Sequence, residues 1–288
     1  MTGDDLLRDA LALGGLREGP RPLGAGGLWL YTARRPSPPE HRVYEPSFGL
    51  ILQGAKRVEV GARAHTFRAG QSLLIGVDLA VVAAVTEASP AHPYAVLSVR
   101  PDMALLRELA AGGASTDDGS ATFAARDADA EVLAAMGRLL RLARDPRAEG
   151  ALAPLALREV HWWMLEGPHG PLLRRLMRAD GPAARIALTT AAIRADPARP
   201  LRVEALAREA GMSPSAFHAH FRAVTATTPL QFQKRLRLLE ARARLRAGSG
   251  VGEAAFAVGY ESSTQFSRDY RRAFGLAPRE ERGLLAAE

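Results

Sequence analysis

The sequence predicts an α+β protein, β-rich in its N-terminal half and all-helical in its C-terminal third. Short apolar runs separated by glycine or proline fill residues 43–99, which is typical of an all-β sandwich or barrel. Beyond residue 101 the apolar residues recur with helical periodicity. A pattern of helix, glycine turn and helix then occurs twice, about fifty residues apart. These three observations set the fold class.

Length and composition narrow the kind of protein. The 288 residues suffice for two domains with separate cores. There is no cysteine, which excludes disulfides, thiolate zinc sites and cysteine nucleophiles. No run of about 18 uninterrupted apolar residues occurs, and the first residues, MTGDDLLRDALALGG, are acidic where a secretory signal is basic. We therefore expect a cytoplasmic protein without a membrane segment.

All of the net positive charge lies in the C-terminal third of the chain. Residues 1–180 contain 21 basic and 21 acidic side chains, whereas residues 181–288 contain 17 basic and 10 acidic ones. A basic segment joined to a neutral one indicates a polyanionic partner, most often nucleic acid. A merely solvated surface is the alternative, because only Lys56 and Lys234 are lysines and arginine richness partly reflects codon bias.

The elements follow one another in a clear order. Glycine and proline clusters at LGAGGLWL and RRPSPPEH predict irregular structure for residues 1–40. Strands follow, and KRVEVGARAHTF predicts a hairpin that turns near Gly61. PDMALLRELAA, DADAEVLAAMGRLLRLARD and LAPLALREVHWWMLEG predict three helices before a hinge at EGPHGP. The predicted domains are residues 1–125 and 181–288, joined by linker helices in 126–180.

The second of these helices carries one apolar face, which serves either a monomer core or a dimer contact. Its members are Val132, Leu133, Met136, Leu139, Leu140 and Ala143.

The second copy of the repeat is GYESSTQFSRDYRRAFGLAPRE. Gly259 suits the left-handed end of a short helix, and Ser262 can cap the next one, with Gln265 completing a capping box. At 100° per residue, one side of that helix is apolar and predicted to be buried, through Phe266, Tyr270 and Ala273. The opposite side presents Thr264, Ser267, Arg268 and Arg271. Small polar residues and arginines on a free helix face suit the major groove of DNA.

The first copy, GMSPSAFHAHFRAVTATTPLQF, follows the same geometry. Gly211 makes the turn, Ser213 caps the helix and Pro214 takes its first position. Its inward residues are Phe217, Phe221 and Val224, and its outward residues are Ser215, His218, Ala219 and Arg222. Between the copies, PLQFQKRLRLLEARARLRAG predicts a rigid spacer helix with Phe232, Leu236, Leu239 and Ala243 inward. Such a spacer would let two helices reach successive segments of one groove.

Residues 185–282 resemble the DNA-binding domain of the AraC/XylS family of transcription regulators, above all through the second copy and its closing Phe274, Gly275 and Pro278. The resemblance implies two recognition helices in adjacent major-groove segments of double-stranded DNA. The base-reading positions it implies are Ser215, His218, Ala219, Ser263, Thr264, Ser267 and Arg268. Ser213, Arg222, Ser262 and Arg271 complete the predicted interface, with Arg222 as a phosphate contact.

The N-terminal half resembles the N-terminal domain of AraC-type regulators, a cupin-like barrel. The resemblance rests on YEPSFGLILQGAKRVEVG, FRAGQSLLIGVDLAVVAAVTEASPAHPYAVLSV and REVHWWMLEGPHGPLLRRL. It implies a small-molecule effector, a homodimer formed through the linker helices, and an output through promoter occupancy or contact with RNA polymerase. On family grounds the apolar face of the second linker helix is assigned to the dimer contact.

Polar residues in or beside the strands are the candidate effector contacts: Arg57, Glu59, Glu87 and Tyr94. Because side chains alternate along a strand, half of them point outward. The alternative for each of these four residues is therefore a position on the protein surface. His41, His65 and His92 include no His-x-His pair with a carboxylate in ligand spacing, so we expect no metal.

No nucleophile elbow, Walker loop or dinucleotide-binding turn is present, and we expect neither cofactor nor catalytic residue. The sequence thus predicts a DNA-binding regulator. The alternatives are a cupin-like barrel enzyme with a regulatory tail and a helical tail that binds a protein partner.

Overall fold

The computed structural model describes residues 2–24, 26–110, 122–178 and 181–285. The N-terminal part consists of α1 (Gly3–Gly14), β1 (Gly19–Leu23), β2 (Leu28–Ala33), β3 (Glu40–Tyr44), β4 (Ser47–Gln53), β5 (Ala55–Val60), β6 (Arg63–Arg68), β7 (Gln71–Ile75), β8 (Leu79–Glu87), β9 (Tyr94–Val99), α2 (Met103–Leu109) and β10 (Phe123–Asp127). The helices that follow are α3 (Ala130–Leu142), α4 (Pro146–Glu166), α5 (Gly170–Met177), α6 (Pro182–Ala195), α7 (Val203–Glu209), α8 (Pro214–Thr225), α9 (Pro229–Arg246), α10 (Val251–Ala257), α11 (Ser263–Phe274) and α12 (Pro278–Leu285).

The strands form two antiparallel sheets. One has the order β1-β2-β9-β4-β7-β10 and the other β3-β8-β5-β6. Among the described residues no hydrogen-bonded pairing joins the sheets, so of the predicted sandwich and barrel the structure is the open sandwich. The predicted hairpin is confirmed, since Val60 pairs with Arg63 across Gly61, whose φ is 61°. The cupin-like likeness of this domain stays a prediction.

The prediction of irregular structure for residues 1–40 is wrong. Thr2 and Asp5 form a capping box at the start of α1, and Leu6 and Ala10 bury one face of that helix. β1 and β2 form a hairpin, and β2 pairs in turn with β9. That pairing joins strands more than sixty residues apart, so the local glycine and proline signals gave no indication of it.

The apolar face of α3 belongs to the monomer core, which corrects its assignment to a dimer contact. Val132, Met136 and Leu139 are at most 3% exposed, and they belong to the same buried cluster as the sandwich. α4 packs alongside α3 and presents a different face to solvent. On that face Leu152, Leu155 and Trp162 are 46%, 63% and 42% exposed.

α2, α3 and α4 match the three helices predicted before the hinge. β10 is a strand in a stretch for which the sequence predicted helices, and no strand occurs in the described residues after it. β10 extends two residues beyond the predicted boundary at 125. The predicted boundary at 180 lies outside the described residues, and the division into domains stays a prediction.

The helical C-terminal part packs directly on the sandwich. Arg194 of α6 forms an ion pair with the buried Asp78, with 2.7 Å between Nε and Oδ1. The Thr122 hydroxyl donates a 2.6 Å hydrogen bond to the carbonyl of Val224 in α8. Apolar side chains from α6 to the first half of α9 join the sandwich core, whereas α10, α11 and the second half of α9 form a smaller core of their own.

Candidate nucleic-acid interface and ligand cavity

The first helix-turn-helix motif consists of α7 and α8. Gly211 makes the turn between them with a φ of 62°, a left-handed conformation that glycine adopts without steric cost. Ser213 caps α8 by accepting a hydrogen bond from Ala216 N at 3.3 Å. Phe217 and Phe221 are fully buried with ring centroids 5.7 Å apart. The predicted turn, cap and inward face are therefore confirmed.

The second motif, formed by α10 and α11, repeats this design. Gly259 occupies the turn with a φ of 84°, and Ser262 accepts a 3.3 Å hydrogen bond from Gln265 N. Phe266 and Tyr270 are fully buried with ring centroids 5.4 Å apart. Gly259 has no room for a side chain, because a Cβ there would lie 2.6 Å from the carbonyl oxygen of Ala198.

The predicted interface residues lie on the outer faces of α8 and α11. All are exposed except Ser267, which is half-buried. They are Ser213, Ser215, His218, Ala219 and Arg222 of the first motif, and Ser262, Ser263, Thr264, Ser267, Arg268 and Arg271 of the second. Ser213 and Ser262 already use their hydroxyls as helix caps. The two motifs thus present free recognition faces.

A clamp on α9 holds the two motifs together. Arg237 donates to the carbonyls of Pro197 and Ala198, at 2.7 and 2.9 Å, and to that of Gly259 at 2.9 Å. Gln233 adds a 2.9 Å hydrogen bond to Pro197 O. One arginine thereby ties the loop before the first motif to the turn of the second. Five guanidinium donors in a fixed fork make arginine suited to this task.

Charged pairs fix α11 and α12 on α9. Lys234 Nζ lies 2.6 Å from Oδ1 of Asp269, which is 7% exposed. The Tyr270 hydroxyl donates to Glu281 Oε2 at 2.6 Å, and Arg242 Nε lies 2.7 Å from Glu281 Oε1. Burial, followed by the Glu281 carboxylate, raises the pKa of Tyr270, so that its hydroxyl remains a donor. The second recognition helix is therefore rigidly oriented.

α9 has three occupied faces, whereas the sequence predicted one. Phe232 and Leu236 are buried as predicted, but Leu239 is half-buried and Ala243 is exposed. The latter two line a cavity toward the sandwich, while Leu238, Ala241 and Leu245 are buried against the second motif. The predicted single stripe already included Leu239 and Ala243. It missed the face that packs on the second motif, because the residues that cover that face lie farther along the chain.

The cavity, of about 740 Å³, lies between the two sheets and is closed on one side by α9. Its apolar walls come from the inner faces of both sheets, including Ile51, Val58, Phe67 and Leu73. Arg242 and Arg246 of α9 lie at its edge. A volume of this size accommodates a small organic molecule, which would contact the sandwich and the spacer helix together.

Lys56 is the distinctive polar group of the cavity. Its Nζ lies 4.8, 5.3 and 5.9 Å from the ring centroids of Tyr31, Tyr44 and Tyr94. Burial, followed by the positive charge of Arg42, lowers the pKa of Lys56 to about 8. Burial also raises the pKa of all three tyrosines, so their rings stay neutral. The three rings form a cage around an ammonium group.

The structure separates the predicted effector residues. Tyr94 lines the cavity. Arg57 and Glu59 lie outside it, where the two side chains form a 3.0 Å ion pair with each other on the other face of β5. Glu87 is exposed and pairs with Arg68. Alternation places Lys56 and Val58 toward the cavity and Arg57 away from it, so the predicted effector residues of this strand lie on its opposite face.

Lys56 was missed, although the sequence held one signal for it. It is one of two lysines in a chain whose other basic residues are arginines. Both lysines have specific surroundings, Lys56 in its tyrosine cage and Lys234 beside Asp269.

The part of the chain that the structure describes contains neither a metal-binding cluster nor a membrane-spanning helix. No group of three histidine or carboxylate side chains there is placed to hold a metal ion. None of its helices combines the length and apolar character needed to cross a membrane.

Two family models match the chain. Residues 25–172 match the model of the AraC-type transcriptional regulator N-terminus, and residues 206–283 match a helix-turn-helix domain. The first match runs from just after β1 to the start of α5, and the second from within α7 to within α12.

Curated relatives match about a third of the chain or less. The transcriptional activator RhaS of Escherichia fergusonii is 39% identical over 78 residues, 27% of this chain and 28% of RhaS. The transcriptional regulator AlkR of Acinetobacter baylyi is 37% identical over 93 residues, 32% of this chain and 30% of AlkR. The matches span less than a third of the length of these relatives.

Solved structures share the fold over about nine-tenths of the chain. ToxT from Vibrio cholerae, bound to an unsaturated fatty acid, aligns with a TM-score of 0.55 at 10% identity, covering 91% of this chain and 96% of ToxT. ToxT bound to (E)-4-(8-methylnaphthalen-1-yl)but-3-enoic acid aligns with a TM-score of 0.54 at 11% identity, covering 89% of this chain and 99% of ToxT. At this identity the likeness concerns the fold.

Proposed function

The chain belongs to the AraC-type transcription regulators, and from this premise we propose a sequence-specific DNA-binding regulator controlled by a small-molecule effector. It acts in the cytoplasm on double-stranded DNA and is not an enzyme. One observation carries the proposal: two recognition helices, each with a serine cap after a left-handed glycine turn, flank one rigid helix and present free polar faces.

The spacer helix supports reading of two groove segments. Its 18 residues correspond to about 27 Å at 1.5 Å per residue. Successive major-groove segments on one face of B-DNA are about 34 Å apart. α8 packs on the first turn of α9, where Phe221 meets Phe232. α11 packs farther along α9, on Lys234 and Arg242. This offset along the spacer suits contact with two neighbouring turns of the groove. Arg268 and Arg271 on the second helix are suited to base and phosphate contacts, and Arg222 on the first to phosphate.

The cavity supports control by an effector. A molecule bound there contacts both the sandwich and Leu239 and Ala243 of α9, and α9 also carries the clamp between the motifs. Ligand binding and DNA binding therefore share one structural element, which is the physical requirement for coupling between two sites. The ToxT structures with bound acids support a small-molecule site in this fold.

A homodimer is part of the proposal. The exposed stripe of α4, Leu152, Leu155 and Trp162, is an apolar surface to which a second copy can pack. Leu155→Glu would place a charge in that contact, and we expect sedimentation to show a monomer. A variant that stays dimeric would place the interface elsewhere. The dimer would act by blocking a promoter or by contacting RNA polymerase.

Selection of sites from random duplexes by the full-length protein, at two salt concentrations, tests the function. Enrichment of two base blocks about 10 base pairs apart is the expected result. Binding that is merely salt-sensitive, without an enriched sequence, would contradict sequence-specific reading. Affinity that does not change with salt would contradict a DNA interface altogether.

A further inference from the structure

The chemical class of the effector follows from the surroundings of Lys56, an inference that rests on the proposed function. Lys56 projects from β5 into the cavity rather than to the outer face of its sheet. Within the described residues no carboxylate forms an ion pair with its ammonium group. Its neighbours are the rings of Tyr31, Tyr44 and Tyr94.

The charged groups facing Lys56 from the surrounding elements are engaged elsewhere. On β3, Glu40 forms a 2.6 Å ion pair with Arg42. Beyond the end of that strand, Glu45 pairs with Arg100.

The same holds on the opposite side of the cavity. Arg242 and Arg246 of α9 both pair with Glu281. His41 of β3 packs against Phe274, with ring centroids 5.7 Å apart. Lys56 is therefore the cavity's cation without a carboxylate partner.

A partly buried ammonium without an anion is an unfavourable arrangement. Desolvation penalises its charge, as the lowered pKa of Lys56 shows. Cation–π attraction to the rings offsets part of that penalty. An anion brought in by a ligand would offset more, because charge-assisted hydrogen bonds are strong in a cavity of low polarity.

We propose that the effector is an organic monoanion, a carboxylic acid with an apolar or aromatic body, whose carboxylate pairs with Lys56 Nζ. One lysine neutralises one charge, which selects a carboxylate over a phosphate dianion. The body of the ligand packs between the sheets on Ile51, Val58 and Phe67. The tyrosine rings surround the headgroup and exclude water from the ion pair.

Matched ligand pairs test the charge requirement. The full-length protein is titrated calorimetrically with a series of arylalkyl and medium-chain carboxylic acids, from 4-phenylbutyrate to decanoate, each beside its primary amide. We expect at least one acid to bind at least tenfold more tightly than its amide. Equal binding of acid and amide, or no binding by any acid in the series, would overturn the proposal.

Two neighbouring substitutions on β5 locate the contact. Lys56→Met removes the ammonium and keeps the apolar stem, and we expect it to abolish the preference for the acid. Arg57→Gln removes a charge one position away on the other face of the strand, and we expect it to retain the preference. Because Lys56→Met relieves a desolvated charge, the variant is expected to fold with a higher melting temperature. The reverse pattern between the two variants would contradict the assignment.

Proton uptake gives a signature specific to Lys56. At pH 9 most of the free protein has a neutral Lys56, since the pKa is about 8, whereas a bound carboxylate would raise that pKa. Acid binding at pH 9 should therefore take up close to one proton, measured from the dependence of the binding enthalpy on the buffer. Lys56→Met should take up none.

Measuring DNA binding alongside acid binding distinguishes a failure of the ligand proposal from a failure of the proposed function. Sequence-specific binding together with failure of every acid would reject the ligand class alone. Acid binding through Lys56 without any sequence-specific DNA binding would reject the regulator and retain the site.

Discussion

The two helix-turn-helix motifs share local geometry and differ in what holds them. Phe217 and Phe221 of the first motif belong to the large core that continues into the sandwich. Phe266 and Tyr270 of the second belong to a small separate core. The faces differ as well, since α8 carries one arginine, whereas α11 carries Arg268, Arg271 and Arg272. The same local signals therefore build one motif anchored to the sandwich and one more independent, more basic motif.

Phe266→Ala should cause the largest loss of stability. That loss should be confined to the second motif. Loss of a fully buried phenylalanine costs about 3 to 5 kcal/mol. Because Phe266 lies in the separate core, hydrogen exchange should show lost protection in α10 to α12 and retained protection in the sandwich. Phe217→Ala is the matched control, and we expect it to weaken the sandwich core as well. Equal effects of both variants on both regions would contradict the division into two cores.

Acid should weaken the anchored region before the second motif. His169 is 3% exposed, its Nε2 lies 2.9 Å from Ser72 Oγ, and burial lowers its pKa to about 4. The unfolded chain, with an ordinary value of 6.5, binds more protons between pH 4 and 6.5. The free energy of unfolding therefore falls as pH drops through this window, by about 3 kcal/mol at pH 4.

Residues 229–285 contain no histidine and lack this source of acid sensitivity. Urea unfolding at pH 6.5 and 4.5, with His169→Gln as control, measures the effect. A pH slope that His169→Gln leaves unchanged would show that His169 is not its source.

Arginine substitutions should separate the roles of the two recognition faces. We expect Arg268→Ala to cost about 1 to 3 kcal/mol of binding to the selected site and to relax one base position. Arg222→Ala should weaken binding uniformly across sequences and reduce the salt slope by about 1. Titration of a selected and a scrambled duplex with both variants checks this. A sequence-dependent loss from Arg222→Ala would assign base reading to the first helix too.

The smallest expected change in stability comes from substitutions at the C-terminal ends of the two recognition helices. α11 ends at Gly275 with a φ of 77°, whereas α8 ends at Ala226 with a φ of 57°. Gly275→Ala should destabilise by about 1 kcal/mol, because a side chain is strained in the left-handed region. Ala226→Gly should have a smaller effect of opposite sign. Thermal unfolding measures both, and destabilisation by Ala226→Gly would show that its methyl contacts outweigh the strain.

Local signals account for what the sequence predicted well. Ser213, Ser262, Gly211 and Gly259 act within a few residues of their own positions, so both motifs were predicted with their caps and buried faces. The strands within residues 1–40 were not predicted, because β2 of their hairpin pairs with β9, which is distant in sequence.

The cavity escaped prediction for a related reason. Alternation along β5 separates Lys56 from Arg57, yet which face turns inward depends on pairing with β6 and β8. Such distant partners leave no mark in a local pattern.

Because three faces of α9 are occupied, this helix fixes the rotation of the second motif about its axis relative to the first motif and the sandwich. Inserting one residue in its middle would rotate everything beyond it by about 100° and shift it by about 1.5 Å. The second recognition helix would turn away from the DNA face chosen by the first, and Arg242 and Ala243 would leave the cavity edge. Four inserted residues would nearly restore the rotation, while adding about 6 Å of length. Under the proposed function, the residue count of this one helix would set both the operator spacing and the contact with the ligand.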